Sequence, residues 1–88
     1  MISSMAPRSF SPLNERTASE RARLHVAVRS HTRADDLAIE RVTRRSNGTW
    51  EVILRETVGD CRCHKVAVSP AAADAPAWAR FPCRDLAA

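Results

Sequence analysis

Asn47-Gly48 stands between two apolar-rich segments, and few dipeptides restrict a chain more tightly. A two-residue hairpin loop needs positive φ at both positions, which Asn and Gly accept at least cost. The flanks, LAIERVTRRS and TWEVILRETV, are rich in the β-branched and aromatic residues that suit strands. With Asn47 and Gly48 as the loop, Arg44 lies opposite Glu51, Val42 opposite Ile53 and Glu40 opposite Arg55. Two opposite-charge pairs around an aliphatic pair fit one face of a ladder, each worth roughly 0.2–1 kcal/mol. The other face carries Leu37, Ile39, Trp50, Val52, Leu54 and Val58, the side expected to be buried. Arg41, Thr43 and Arg45 share its parity and must reach the rim.

Residues 23–30, RLHVAVRS, alternate in the period of a strand, with Leu24, Val26 and Val28 on one side and Arg23, His25, Ala27 and Arg29 on the other. Residues 61–69, CRCHKVAVS, give a further strand, with His64, Val66 and Val68 opposed to Cys63, Lys65 and Ala67; Gly59-Asp60 is the turn before it and Pro70 ends it. The fold expected is mainly β, or α+β: a small antiparallel sheet of three to four strands over residues 23–69. Residues 1–22 form a flexible N-terminal arm and residues 70–88 an Ala/Pro-rich C-terminal tail. Within the arm, Thr17 and Glu20 suit the start of a short helix through Ala22, and Phe10 is the candidate anchor. Within the tail, Trp78 and Phe81 are three apart, the spacing that a single helical turn places on one side.

Leu, Ile, Val and Phe total seventeen of 88 residues, and twelve of the fifteen Leu, Ile and Val lie between Leu24 and Val68. A core drawn from so short a stretch is marginal alone. A homo-oligomer or a complex with a protein partner is therefore expected.

The formal net charge is +4, and thirteen of the fourteen basic residues are Arg. Arg grips carboxylates and phosphates in a bidentate way. Arg23, Arg29, Arg41, Arg44, Arg45, Arg55, Arg62 and Lys65 form the candidate surface for nucleic acid or an acidic protein partner; a solvated basic face is the competing reading. Trp50 is the only aromatic platform in that region, which gives little to single-strand binding by stacking. No apolar run is long enough to span a membrane, and the start lacks the pattern of a secretory signal, so the expected location is cytoplasmic with reduced cysteines.

Cys61-x-Cys63-His64 with Cys83 is the one set with metal-ligand chemistry, and zinc is the ion it suits. The competing reading makes the three cysteines small space-filling thiols; a disulfide from Cys83 to either of the others is a third. Cys63 and His64 are neighbours that point to opposite sides of a strand, so they cannot act as nucleophile and base. No catalytic motif appears, and the chain reads as a non-enzymatic binding or adaptor module.

A helical reading competes over residues 33–45, which Thr32 and Asp35 would open. With it, the order strand, helix, turn, helix resembles ribbon-helix-helix DNA-binding proteins. Residues 23–29 are similar to their strand, with Arg23, His25, Ala27 and Arg29 where that family places groove-reading side chains. Residues 46–48 stand for the turn, Thr49 for the next cap and residues 51–58 for the second helix. The resemblance implies a dimeric transcriptional regulator; residues 61–69 have no counterpart in the family's pattern. A zinc-stabilised β module is the remaining alternative.

Overall fold

A computed structural model describes residues 13–59, 61–72 and 75–87. The expected arm at residues 1–12, including Phe10, lies outside the described residues, as does Asp60 of the expected turn. One helix, α1 (Glu15–Ser30), precedes four strands: β1 (Leu37–Arg44), β2 (Trp50–Glu56), β3 (Arg62–Val68) and β4 (Ala77–Pro82). They form one antiparallel sheet in the order β1-β2-β3-β4, so each strand pairs with its sequence neighbour. Short 3-10 turns lead into β1 at Ala34–Asp36, follow β3 at Pro70–Ala72 and follow β4 at Cys83–Ala87. The expected antiparallel sheet is therefore present, within a small α+β fold.

The segment 23–30 is helix, not strand. A four-residue stripe settles it: Ala18, Ala22 and Val26 are fully buried, together with Ser19. Two of the three residues that made the alternation, Leu24 and Val28, are 55% and 71% exposed. The period-2 pattern was a fragment of a longer helical stripe that starts five residues earlier, at Ala18. The ends are well determined. Asn14 accepts from the Thr17 backbone N–H at 3.0 Å while its own N–H donates to Thr17 Oγ1 at 2.9 Å, a reciprocal cap. The cap lies upstream of the expected Thr17 start, and α1 runs across the expected boundary at residue 22. At the other end His31 takes the left-handed conformation, φ 56°, and Ser30 Oγ donates to the Val26 carbonyl at 2.6 Å.

The hairpin is where Asn47-Gly48 placed it, but its register is shifted by one. Arg45 and Thr49 close a three-residue loop, the Arg45 N–H donating to the Thr49 carbonyl at 2.8 Å and the Gly48 N–H to the Arg45 carbonyl at 2.9 Å. Only Gly48 has positive φ, 86°. Asn47 instead uses its side chain, accepting from the Thr49 N–H at 3.0 Å. Val42 thus pairs with Val52 rather than Ile53, and Arg44 with Trp50 rather than Glu51. A second irregularity lies between Ile39 and Arg41, where Glu40 is the extra residue of a bulge. It resets the parity of β1. Ile39 pairs with Leu54 on one side of it and Arg41 with Ile53 on the other. The arginine that the sequence reading placed among inward residues is turned out, and Val42 turns in.

The core lies between α1 and one sheet face. Ala18, Ala22 and Val26 pack on Leu37, Val52, Leu54, Val66 and Val68, with Leu13, Ile39, Val42, Trp50 and Trp78 around them. Small side chains on the helix let its backbone approach the sheet. Trp50 Nε1 donates to the Leu13 carbonyl at 3.3 Å and ties the helix entrance to β2. Val58, expected inside, follows the end of β2 and is 62% exposed.

The C-terminal tail supplies the fourth strand. Val66 pairs with Trp78 and Cys63 with Phe81, so these two aromatics point to opposite faces of the sheet. The helical turn expected for them is absent. The element order also departs from the ribbon-helix-helix pattern at each step: the expected strand is α1, and the two expected helices are β1 and β2. Among the described residues no helix is long and apolar enough to cross a membrane.

Candidate anion groove and cysteine cluster

Strand β4 reads Ala-Trp-Ala-Arg-Phe-Pro, and its alternation builds the site. Trp78 and Arg80 share the face on which α1 lies; Ala79 and Phe81 share the other. Trp78 is fixed first. Its Nε1 donates to His64 Nδ1 at 3.1 Å, and His25 of α1 meets its ring edge-on with centroids 6.0 Å apart. The Arg80 guanidinium then lies over the same ring, 5.1 Å from its centroid. Arg62, opposite Pro82, is the next cation along β3.

Together Cys61, Arg62, Arg80, Phe81 and Pro82 line a groove of about 340 Å³. No carboxylate lines it among the described residues, and none of their ion pairs involves Arg62 or Arg80. That separates the groove from the rest of the expected basic surface, which the fold disperses. Arg23 lies 3.5 Å from Glu20 on α1, and Arg29 sits in the last turn of that helix. Arg55 is paired with Glu40. Arg45 and Lys65 both reach Glu51, at 2.6 and 3.7 Å. Arg45 bonding holds the Glu51 carboxyl below its usual range, with Lys65 adding to it and burial opposing. Arg44 stacks over Trp50 at 5.9 Å. Arg41 lines a second cavity, about 390 Å³, over Ile53, Phe81 and Leu86, where Glu51 and Asp85 accompany the cations. Of the eight predicted basic residues only Arg62 lines the carboxylate-free groove. Arg80 was missed and Trp78 was noted only for its helical spacing to Phe81, although the alternation from Ala77 to Pro82 could have revealed both as strand residues.

The expected metal ligands do not converge. His64 faces α1, is fully buried, and has both ring nitrogens engaged: Nδ1 accepts from Trp78 and Nε2 lies 2.8 Å from Glu56 Oε2. Because the indole can only donate, the imidazole proton sits on Nε2 and points at Glu56. No lone pair remains for a metal or for proton abstraction, even though a carboxylate orients the ring. The three cysteines gather on the opposite face. Cys61 and Cys83 are joined in a disulfide with Cα atoms 5.8 Å apart, which corrects the expectation of three reduced thiols. Cys63 is free and buried, and its thiol donates to Cys83 Sγ at 2.8 Å. Burial, then Glu40 and Glu56, pushes the Cys63 thiol pKa up, with Arg55 opposing. Among the described residues no group of three or more His, Cys, Asp or Glu side chains is arranged to hold a metal ion.

No protein-family model, curated protein or solved structure matches the chain.

Proposed function

We propose that the chain is a small non-enzymatic binding module whose groove beside β4 takes an acidic, extended segment of a partner protein. The observation that carries this reading is the pair Arg62 and Arg80, set in a groove that no described carboxylate lines. Elsewhere on the molecule the arginines that face carboxylates are already matched within the chain. β4 is also an outer strand, so its free side offers backbone donors and acceptors to an added strand. Guanidinium groups then select carboxylates along that strand by paired hydrogen bonds.

Nucleic acid is the weaker alternative. Its bases need open aromatic faces, and Trp78 already carries Arg80 and His25. The exposed Leu24 and Val28 on the outer side of α1 leave room for self-association alongside the partner.

Fluorescence anisotropy tests the reading with three labelled probes: a glutamate-rich peptide, a scrambled peptide of zero net charge, and a DNA duplex. The acidic peptide binds, its affinity falls as salt rises, and Arg62→Glu with Arg80→Glu weakens it by about tenfold or more. Arg29→Glu with Arg33→Glu, on and just beyond α1, changes affinity far less. Tighter binding of duplex than peptide would transfer the groove to nucleic acid. Equal binding by the charge-reversed groove would end the proposal.

A further inference from the structure

Three sulfur atoms meet at the end of the β3–β4 ladder. Arg62 pairs with Pro82, so the flanking Cys61 and Cys83 face each other and are bonded. Cys63 lies two residues further along and on the same face, with its thiol against Cys83 Sγ at 2.8 Å. Cys83 therefore sits between two rivals, one bonded and one within attacking distance. The rivals differ in surroundings. Cys63 is fully buried, whereas Cys61 is exposed and lines the groove with Arg62 and Arg80.

We infer that the Cys61–Cys83 bond is exchangeable, that Cys63 is its internal attacking group, and that exchange releases Cys61 as a surface thiolate that takes up small anionic disulfides. In the first step Cys63 loses its proton to solvent and its sulfur lone pair forms a bond to Cys83 Sγ. The Cys83–Cys61 bond breaks and its electron pair leaves on Cys61. One disulfide is lost and one is formed, so no oxidant is consumed. In the second step the Cys61 thiolate attacks one sulfur of an external disulfide, R–S–S–R. A Cys61–S–S–R bond forms and RS⁻ departs.

The groove favours both steps. Arg62 and Arg80 stabilise Cys61 as a departing thiolate and draw in a negatively charged R group. The raised pKa of Cys63 keeps its attacking form scarce at neutral pH, so the exchange accelerates as pH rises. None of this depends on whether a partner protein occupies the groove.

Trypsin makes the test direct, because cleavage after Arg55, Arg62, Lys65, Arg80 and Arg84 puts each cysteine on its own peptide. The full chain is treated with dianionic dithiobis(nitrobenzoate) or neutral dithiodipyridine over a range of pH, quenched in acid and mapped by mass spectrometry. The label is expected on Cys61, with a Cys63–Cys83 disulfide in the same molecules and a rate that climbs with pH. Arg62→Ala with Arg80→Ala should shrink the lead of the anionic reagent by about tenfold. Cys63→Ser should keep Cys61–Cys83 and take no label. Label on Cys63 with Cys61–Cys83 intact, three free thiols in the purified chain, or no label at alkaline pH would each overturn the inference. These readings come from the unmutated chain, so they decide the matter even if Cys63→Ser fails to fold.

Discussion

The two faces of the sheet are built on different principles. The face under α1 is aliphatic and close-packed: Val52, Leu54, Val66 and Val68 have no exposed surface, and Ala18, Ala22 and Val26 close over them. The opposite face alternates charge with small apolar groups, Glu51, Ile53 and Arg55 on β2 beside Cys63, Lys65 and Ala67 on β3. Its cover is slight. Leu86, in the 3-10 turn after β4, lines a cavity there with Ile53 and Phe81. Stability is concentrated on one side of the sheet, and the cysteines and most of the paired charges sit on the other. On that second face Ile53 and Cys63 are the buried residues, so the proposed exchange would take place where fewer core side chains depend on it.

The sharpest way to break this contrast is to truncate one residue on each side. Leu54→Ala leaves a hole beneath α1 and is expected to cost about 2–5 kcal/mol in urea unfolding. Lys65→Ala, one strand over and facing the other way, is expected to cost below ~1 kcal/mol, because its ion pair to Glu51 is half exposed and screened. Comparable losses from the two would erase the distinction. An intermediate effect belongs to Trp78→Phe. It keeps the ring but removes the donor to His64 Nδ1, leaving a buried acceptor unpaired at a cost of about 1–3 kcal/mol. The same unfolding series measures it, and a near-zero change would mean that the Glu56–His64–Trp78 chain does not hold β4 to the core.

The smallest effect is one of pH. Burial, and secondarily Arg29, lowers the pKa of His25 from its ordinary value of 6.5. The unfolded chain then takes up this proton more readily than the folded one, so the contribution of His25 is fully present above about pH 6.5 and is lost as pH falls through the lowered pKa. Replacing His25 with Gln should flatten that part of the stability profile; an unchanged slope would assign it elsewhere.

The contrast between faces also explains what the sequence revealed. β3 was legible because its alternation is strict and Pro70 ends it: His64, Val66 and Val68 share one face as expected, and the structure makes that face the inward one. The hairpin was legible in place but not in phase. Within the loop Gly48 alone takes the left-handed conformation, and the extra loop residue that follows from this shifts the pairs from Arg41 to Arg44 by one, while the bulge shifts those from Leu37 to Ile39 by two. Nothing local announces the bulge at Glu40; it exists because Leu37, Ile39 and Val42 must all reach the same helix. The segment 23–30 misled because five residues of Leu-x-Val-x-Val satisfy a strand, while the stripe that governs them starts at Ala18. Of the candidate site, Arg62 and the cysteines were visible. Arg80 and Trp78 were hidden in a stretch whose alanines and prolines look like a tail, and only pairing with β3 makes it a strand.

The bulge has one more consequence. Removing residue 40 alone would leave Ile39 beside Leu54 and Arg41 beside Ile53, so the hydrophobic arrangement would survive untouched. What would vanish is the kink in the outermost strand on that border, along with the carboxylate that engages Arg55. A straight, uninterrupted border is an invitation to other copies of the chain. Deleting Glu40 is therefore expected to leave the core intact yet raise edge-to-edge association, read as light scattering at rising concentration.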